Sequence, residues 1–98
     1  MTIIESYEKH SSGIYRFDWG VEGMSKKTST FFPYSWSGET VQRKIVEAYK
    51  YARKYHFIPE SQKNGSFVII GFTRESIKVK IIINQKGTII TAYPVWPE

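Results

Sequence analysis

Two histidines, His10 and His56, are the side chains best suited to moving protons near neutral pH, because imidazole ionises in that range. His10 stands beside Lys9 and the run Ser11-Ser12-Gly13, a polar setting that suits an acid or base; a plain surface histidine is the other reading of the same residues. His56 follows a helical pattern and precedes Phe57, where a structural or dipole role fits better. Fourteen Lys and Arg against nine Asp and Glu give a net charge of +5, a balance that favours a polyanionic partner such as nucleic acid, though many basic domains share it. Eight of the nine acids are Glu, the ninth is Asp18, and they are scattered. Chemistry on phosphate through Mg²⁺ needs clustered carboxylates, so any such chemistry here is expected to be free of metal and cofactor.

With no cysteine the chain has no thiolate zinc site, no cysteine nucleophile and no disulfide framework. Ninety-eight residues make one domain with one modest core, and 41% hydrophobic residues suffice to form it. No apolar run approaches the roughly 20 residues of a membrane span, and the start Met1-Thr2-Ile3-Ile4-Glu5 lacks the features of a signal peptide, so the domain is expected to be soluble.

The elements that must position these groups follow from patterning. Residues 1–37 read as irregular, with Gly13, Gly20 and Gly23 and aromatic residues from Tyr7 to Phe32. Ser37 predicts a helix N-cap, with Glu39 in the first turn. Val41, Ile45, Ala48, Ala52 and Tyr55 then form one helical stripe, and the helix is expected to end near His56 to Ile58, ahead of Pro59. Arg43, Lys50, Arg53 and Lys54 lie off that stripe, as an electrostatic guide for a polyanion or simply a solvated face.

Strands are predicted over 66–72, 76–83 and 88–93, joined by turns at Thr73-Arg74-Glu75 and Asn84-Gln85-Lys86-Gly87. Alternation puts Ile77, Val79, Ile81 and Ile83 on one face of the second of these strands and Lys78 and Lys80 on the other. On the last strand, Ile90 and Ala92 are expected to face the helix and Ile89, Thr91 and Tyr93 to face away. Lys78, Lys80, Thr91 and Tyr93 would then share a surface able to hold phosphate, or would form the solvated outside of a two-layer domain.

Thr30-Phe31-Phe32-Pro33, then Ser35-Trp36-Ser37, an amphipathic helix, Gly71, and Lys86-Gly87-Thr88-Ile89-Ile90-Thr91-Ala92-Tyr93-Pro94 resemble the bacterial EndoU nuclease family across roughly residues 10 to 95. The resemblance implies a single α+β domain over 1–98, with an irregular or helical N-terminal region and one long amphipathic helix packed on a twisted antiparallel sheet. It implies metal-independent cleavage of RNA, tRNA included, by attack of the 2′-hydroxyl to leave a 2′,3′-cyclic phosphate. It also implies an antibacterial toxin of a contact-dependent or secreted system, delivered within a larger protein to the target-cell cytoplasm and neutralised by a cognate immunity protein.

Carried over residue by residue, the resemblance makes His10 the first of two family histidines. Met24, in Gly23-Met24-Ser25, stands where the second is usual, so another group supplies that role or the domain binds RNA and cuts it poorly. Such cleavage needs a base, an acid and a cation on the phosphate. Lys26 is a candidate for the cation or a replacement acid, the latter only if burial or a neighbouring cation eases loss of its proton. Lys27, Lys78 and Lys80 are assigned to RNA binding, Thr91 to a hydrogen bond with phosphate, and Tyr93 to stacking or phosphate orientation, with sheet packing or a basic loop as their ordinary alternatives. Trp36 is expected to pack near the helix start.

Overall fold

A computed structural model describes residues 2–21, 27–55 and 57–97, with residues 2–5 and 21 described by backbone alone. Lys26, Met24 and His56 therefore lie outside the described residues. Among the described residues the fold is α+β, with one helix and two antiparallel sheets. Strands β1 (Thr2–Lys9), β2 (Tyr15–Val21) and β3 (Lys27–Phe31) form the first sheet in that order. Helix α1 (Gly38–Lys54) follows, and β4 (Glu60–Ser61), β5 (Phe67–Phe72), β6 (Lys78–Ile83) and β7 (Ile89–Pro94) form the second sheet, again in sequence order.

The first sheet corrects the expectation of an irregular or helical N-terminal region. Tyr15, Phe17 and Trp19 alternate with Arg16 and Asp18, the period of a strand, and pair across to Phe31, Ser29 and Lys27. Ring pairs then reinforce the ladder, with Tyr15 and Phe31 stacked at 5.3 Å and Tyr7 and Phe17 tilted at 5.1 Å between centroids. Gly13 misleads because it is punctuation: it takes φ 97° in the tight turn between β1 and β2, where its amide donates to the His10 carbonyl at 2.9 Å. The His10 amide donates to the Ile14 carbonyl at 2.8 Å, closing the same turn.

α1 starts where Ser37 directs it. The Ser37 hydroxyl accepts the Thr40 amide at 3.1 Å, Glu39 lies in the first turn, and Tyr55 forms the C-cap. Ala48 and Ala52 are fully buried, whereas Arg43, Lys50, Arg53 and Lys54 are exposed. The helix meets β5 backbone to backbone at Gly71: a Cβ there would lie 1.9 Å from the Ala48 carbonyl oxygen, so only glycine permits this approach. Ile69, Ile77, Val79, Ile81 and Ile83 fill the space with the two alanines, and Ile14, carried in by the β1–β2 connection, joins them. Phe32 and Trp36, stacked at 5.9 Å, close one edge of this core.

On β7 the expected alternation holds at three positions and breaks at two. Ile81 pairs with Ala92 and Ile82 with Thr91, but Ile83 pairs with Ile89, leaving Ile90 as the extra residue of a bulge. Ile89 consequently packs on the core and Ile90 is 60% exposed, the reverse of the expected facing. Thr91 and Tyr93 lie beyond the bulge and do point away from the core, with Ala92 between them packed against it.

Candidate active site

A cleft of about 730 Å³ opens where three segments converge: the β1–β2 turn, the β5–β6 turn and the chain after β7. His10, Ser11 and Ser12 come from the first, Glu75, Ser76 and Lys78 from the second, and Trp96 from the third. His10 is fixed locally. The Ser12 amide donates to its Nδ1 at 3.0 Å and the Ser12 hydroxyl lies 2.9 Å from the same nitrogen. The amide donation makes Nδ1 an acceptor and puts the proton of the neutral ring on Nε2, which faces a ligand; were Nδ1 to carry a proton instead, the Ser12 hydroxyl is placed to accept it. The Trp96 ring stands edge-on to His10 at 5.9 Å between centroids and also receives the Arg16 guanidinium at 4.3 Å.

The opposite wall is positioned by α1. Between β5 and β6, the Thr73 amide donates to the Ile77 carbonyl at 3.0 Å, the Ser76 amide to the Thr73 carbonyl at 2.9 Å, and the Ile77 amide to the buried Thr73 hydroxyl at 3.3 Å. Ser76 at the cleft has φ 65°, a left-handed conformation uncommon for a residue with a Cβ, and this hydrogen-bonded turn holds it there. The helix grips the turn twice: Lys44 Nζ meets the Glu75 carboxylate at 2.7 Å, and Glu47 accepts the Arg74 amide at 3.1 Å. Glu47 also receives Lys44 at 3.3 Å. The hydrogen bond from Lys44 holds the Glu75 carboxyl below the usual carboxylate range, and the same bond raises the Lys44 ammonium above its ordinary value. Glu75 is thus a committed anchor of the wall, with its charge already matched. On the third side the Val95 amide donates to the Lys78 carbonyl at 2.8 Å, carrying the chain past β7 along β6 and bringing Trp96 to His10.

The structure brings two of the candidate residues, His10 and Lys78, into this cleft. Lys80 lines an adjacent depression of about 550 Å³ that shares Lys78 and Val95 with the cleft. Tyr93 is the cross-strand neighbour of Lys80, whose ammonium lies 5.8 Å from the ring centroid, and Thr91 follows the same outward face one alternation away. Thr91 and Tyr93 are not among the residues lining the cleft. Lys27 belongs to the other sheet, with its ammonium 5.7 Å from the Trp19 ring centroid. Sequence reasoning did not single out Ser12, Ser76 or Trp96 as parts of this cleft. Only Ser12 carried a usable signal, as a hydroxyl two residues from a histidine; the other two arrive through tertiary packing. Among the described residues no group of three or more His, Asp or Glu is placed to hold a metal ion.

Compared with known protein families, residues 3–95 match the model of the bacterial EndoU nuclease family, which is nearly the whole chain. Searches of curated proteins and of solved structures gave no match.

Proposed function

From the premise that this chain belongs to the bacterial EndoU nuclease family, we propose that it is a metal-independent endoribonuclease. The observation that carries the proposal is the convergence of His10 and Lys78 on one cleft, with Ser12 leaving Nε2 of His10 to the ligand. The 2′-oxygen of a ribose attacks the adjacent phosphorus, the bond to the 5′-oxygen of the next nucleotide breaks, and a 2′,3′-cyclic phosphate remains. His10 acts at Nε2, taking a proton from the 2′-hydroxyl or, as the imidazolium, giving one to the departing 5′-oxygen; either role puts a proton on Nδ1, which the Ser12 hydroxyl accepts in place of the bond from the Ser12 amide. Lys78 supplies positive charge to the phosphate as negative charge accumulates on it. Lys80, Thr91 and Tyr93 extend this surface along the sheet, Thr91 as a phosphate hydrogen-bond donor and Tyr93 as a stacking ring. Lys26 is proposed as the second proton-transfer group or phosphate cation, and Lys27 as an RNA contact.

Structured RNA, tRNA in particular, is the proposed substrate, consistent with the net charge of +5. The proposed setting is an antibacterial toxin domain, delivered within a larger protein to act in the target-cell cytoplasm and held in check by a cognate immunity protein. Among the described residues no helix is long and apolar enough to cross a membrane. A second reading, a module of the same fold that binds RNA without cutting it, is favoured by Met24 standing where the second family histidine is usual. Incubation of the purified protein with tRNA in EDTA separates the two: cleavage leaving 2′,3′-cyclic ends supports the nuclease, and binding without cleavage supports the module. Cleavage lost in EDTA and restored by Mg²⁺ overturns metal independence.

A further inference from the structure

The fold leaves one face of the first sheet unused. Pairing Tyr7 with Phe17, Lys9 with Tyr15, Tyr15 with Phe31 and Trp19 with Lys27 puts five rings and two lysines on the same side of β1, β2 and β3. Tyr7 and Phe31 are 55% and 42% exposed, and none of Tyr7, Tyr15, Phe17 or Phe31 packs on the hydrophobic core. On the opposite side Arg16 projects onto Trp96. The rings contact each other in a continuous series, Tyr7 to Phe17 to Phe31 to Tyr15, with successive centroids 5.1, 5.8 and 5.3 Å apart.

The placement of charge indicates what such a surface takes. Lys9 lies at one end of the series beside Tyr15 and Lys27 at the other beside Trp19. The described carboxylates of these strands, Glu8 and Asp18, alternate onto the other side. There Glu8 pairs with Arg16 at 3.2 Å, and Asp18 accepts the hydroxyls of Ser6 and Thr28 at 2.6 Å each. Aromatic faces bracketed by ammonium groups, with no described carboxylate between, suit an unpaired polynucleotide: bases stack on the rings and the backbone meets the cations. An acidic protein surface would satisfy the two lysines but leave the rings without flat partners. From Tyr15 to Trp19 the platform runs four strand residues, about 13 Å, close to the length of four stacked nucleotides.

We propose that this face is a stacking platform for single-stranded RNA, which holds an unpaired segment of the substrate apart from the cleft. The proposal rests on the nuclease reading for the identity of its ligand. It assigns Tyr7, Phe31 and Lys9 a role that the catalytic surface does not require.

The test uses the full chain and a fluorescein-labelled 2′-O-methyl RNA octamer, which cannot be cleaved because its 2′-oxygen is blocked. Wild-type protein is expected to bind it with a marked rise in anisotropy and quenching of tryptophan fluorescence. The double variant Tyr7→Ser, Phe31→Ser is expected to bind at least about tenfold more weakly, and Tyr7→Phe, which keeps the ring, to bind like wild type. Equal binding by wild type and the double variant, with native circular dichroism in both, overturns the platform. Should the double variant fail to fold, photocrosslinking of a 4-thiouridine octamer to wild type decides: adducts in β1–β3 support the proposal, and adducts confined to the second sheet or helix overturn it. Self-association or protein capture through this face without competition by the octamer also overturns it. Cleavage of tRNA by wild type is scored separately, so its absence beside intact octamer binding sinks the nuclease reading and leaves the platform standing.

Discussion

In the second sheet Ile69, Val79 and Ile81 are each 2% exposed or less, whereas in the first sheet Tyr7 and Phe31 keep about half their surface in solvent. Both sheets are antiparallel meanders of short strands with alternating side chains, so the contrast arises from what lies against them. The second has α1 seated on Gly71 and buries aliphatic groups whose only function is to exclude water. The first offers its rings outward and is tied to the core through Ile14. Stability is therefore concentrated in α1 with β5–β7, while the first sheet carries the outward rings and, on its first turn, His10 of the cleft.

The sharpest way to break this comparison is to damage each sheet in turn. Ile81→Ala and Gly71→Ala are expected to cost about 3 kcal/mol or more each in urea unfolding, one through a cavity and the other by driving a Cβ into the Ala48 carbonyl. Tyr7→Ala in the first sheet is expected to cost less than about 1 kcal/mol. Equal losses would show that the first sheet belongs to the same cooperative core. Ser37→Ala comes next, with an expected loss of about 1 kcal/mol from the helix N-cap, read as a lower thermal midpoint.

A smaller effect is expected at the join between helix and cleft. Glu75→Gln removes the charge that pairs with Lys44, and cleavage of RNA should slow by less than about tenfold as the β5–β6 turn loosens. Because the folded-state pKa of Glu75 is depressed, its ionic contribution to stability is present above the usual carboxylate range and disappears as pH falls through the folded value. The difference in thermal midpoint between wild type and Glu75→Gln should accordingly shrink on acidification below that range. A difference that stays constant would detach Glu75 from the Lys44 pair.

The same contrast explains what could be read from the sequence. The helix start at Ser37 and the aliphatic alternation of β6 were legible because capping and burial leave local signatures in residue type. The first sheet was not, because cross-strand ring pairs such as Tyr15 with Phe31 connect residues far apart in the chain, and Gly13 looked like irregularity when it marks one turn. The inward turn of Ile89 depends on a bulge that neither isoleucine announces. At the cleft, His10 stands out by residue type and Lys78 by strand alternation, but their convergence depends on the Lys44–Glu75 grip and the Val95 to Lys78 hydrogen bond, neither of which has a local sequence signature.

Whether the His10 cleft cuts RNA is decided by comparing wild-type protein with His10→Ala in EDTA on one tRNA substrate, alongside their thermal midpoints. Cleavage lower by about 10²-fold or more in the variant, with 2′,3′-cyclic ends in the wild-type products and closely similar midpoints, is the expected result. Wild-type rates in His10→Ala would contradict it and place the chemistry elsewhere on the molecule.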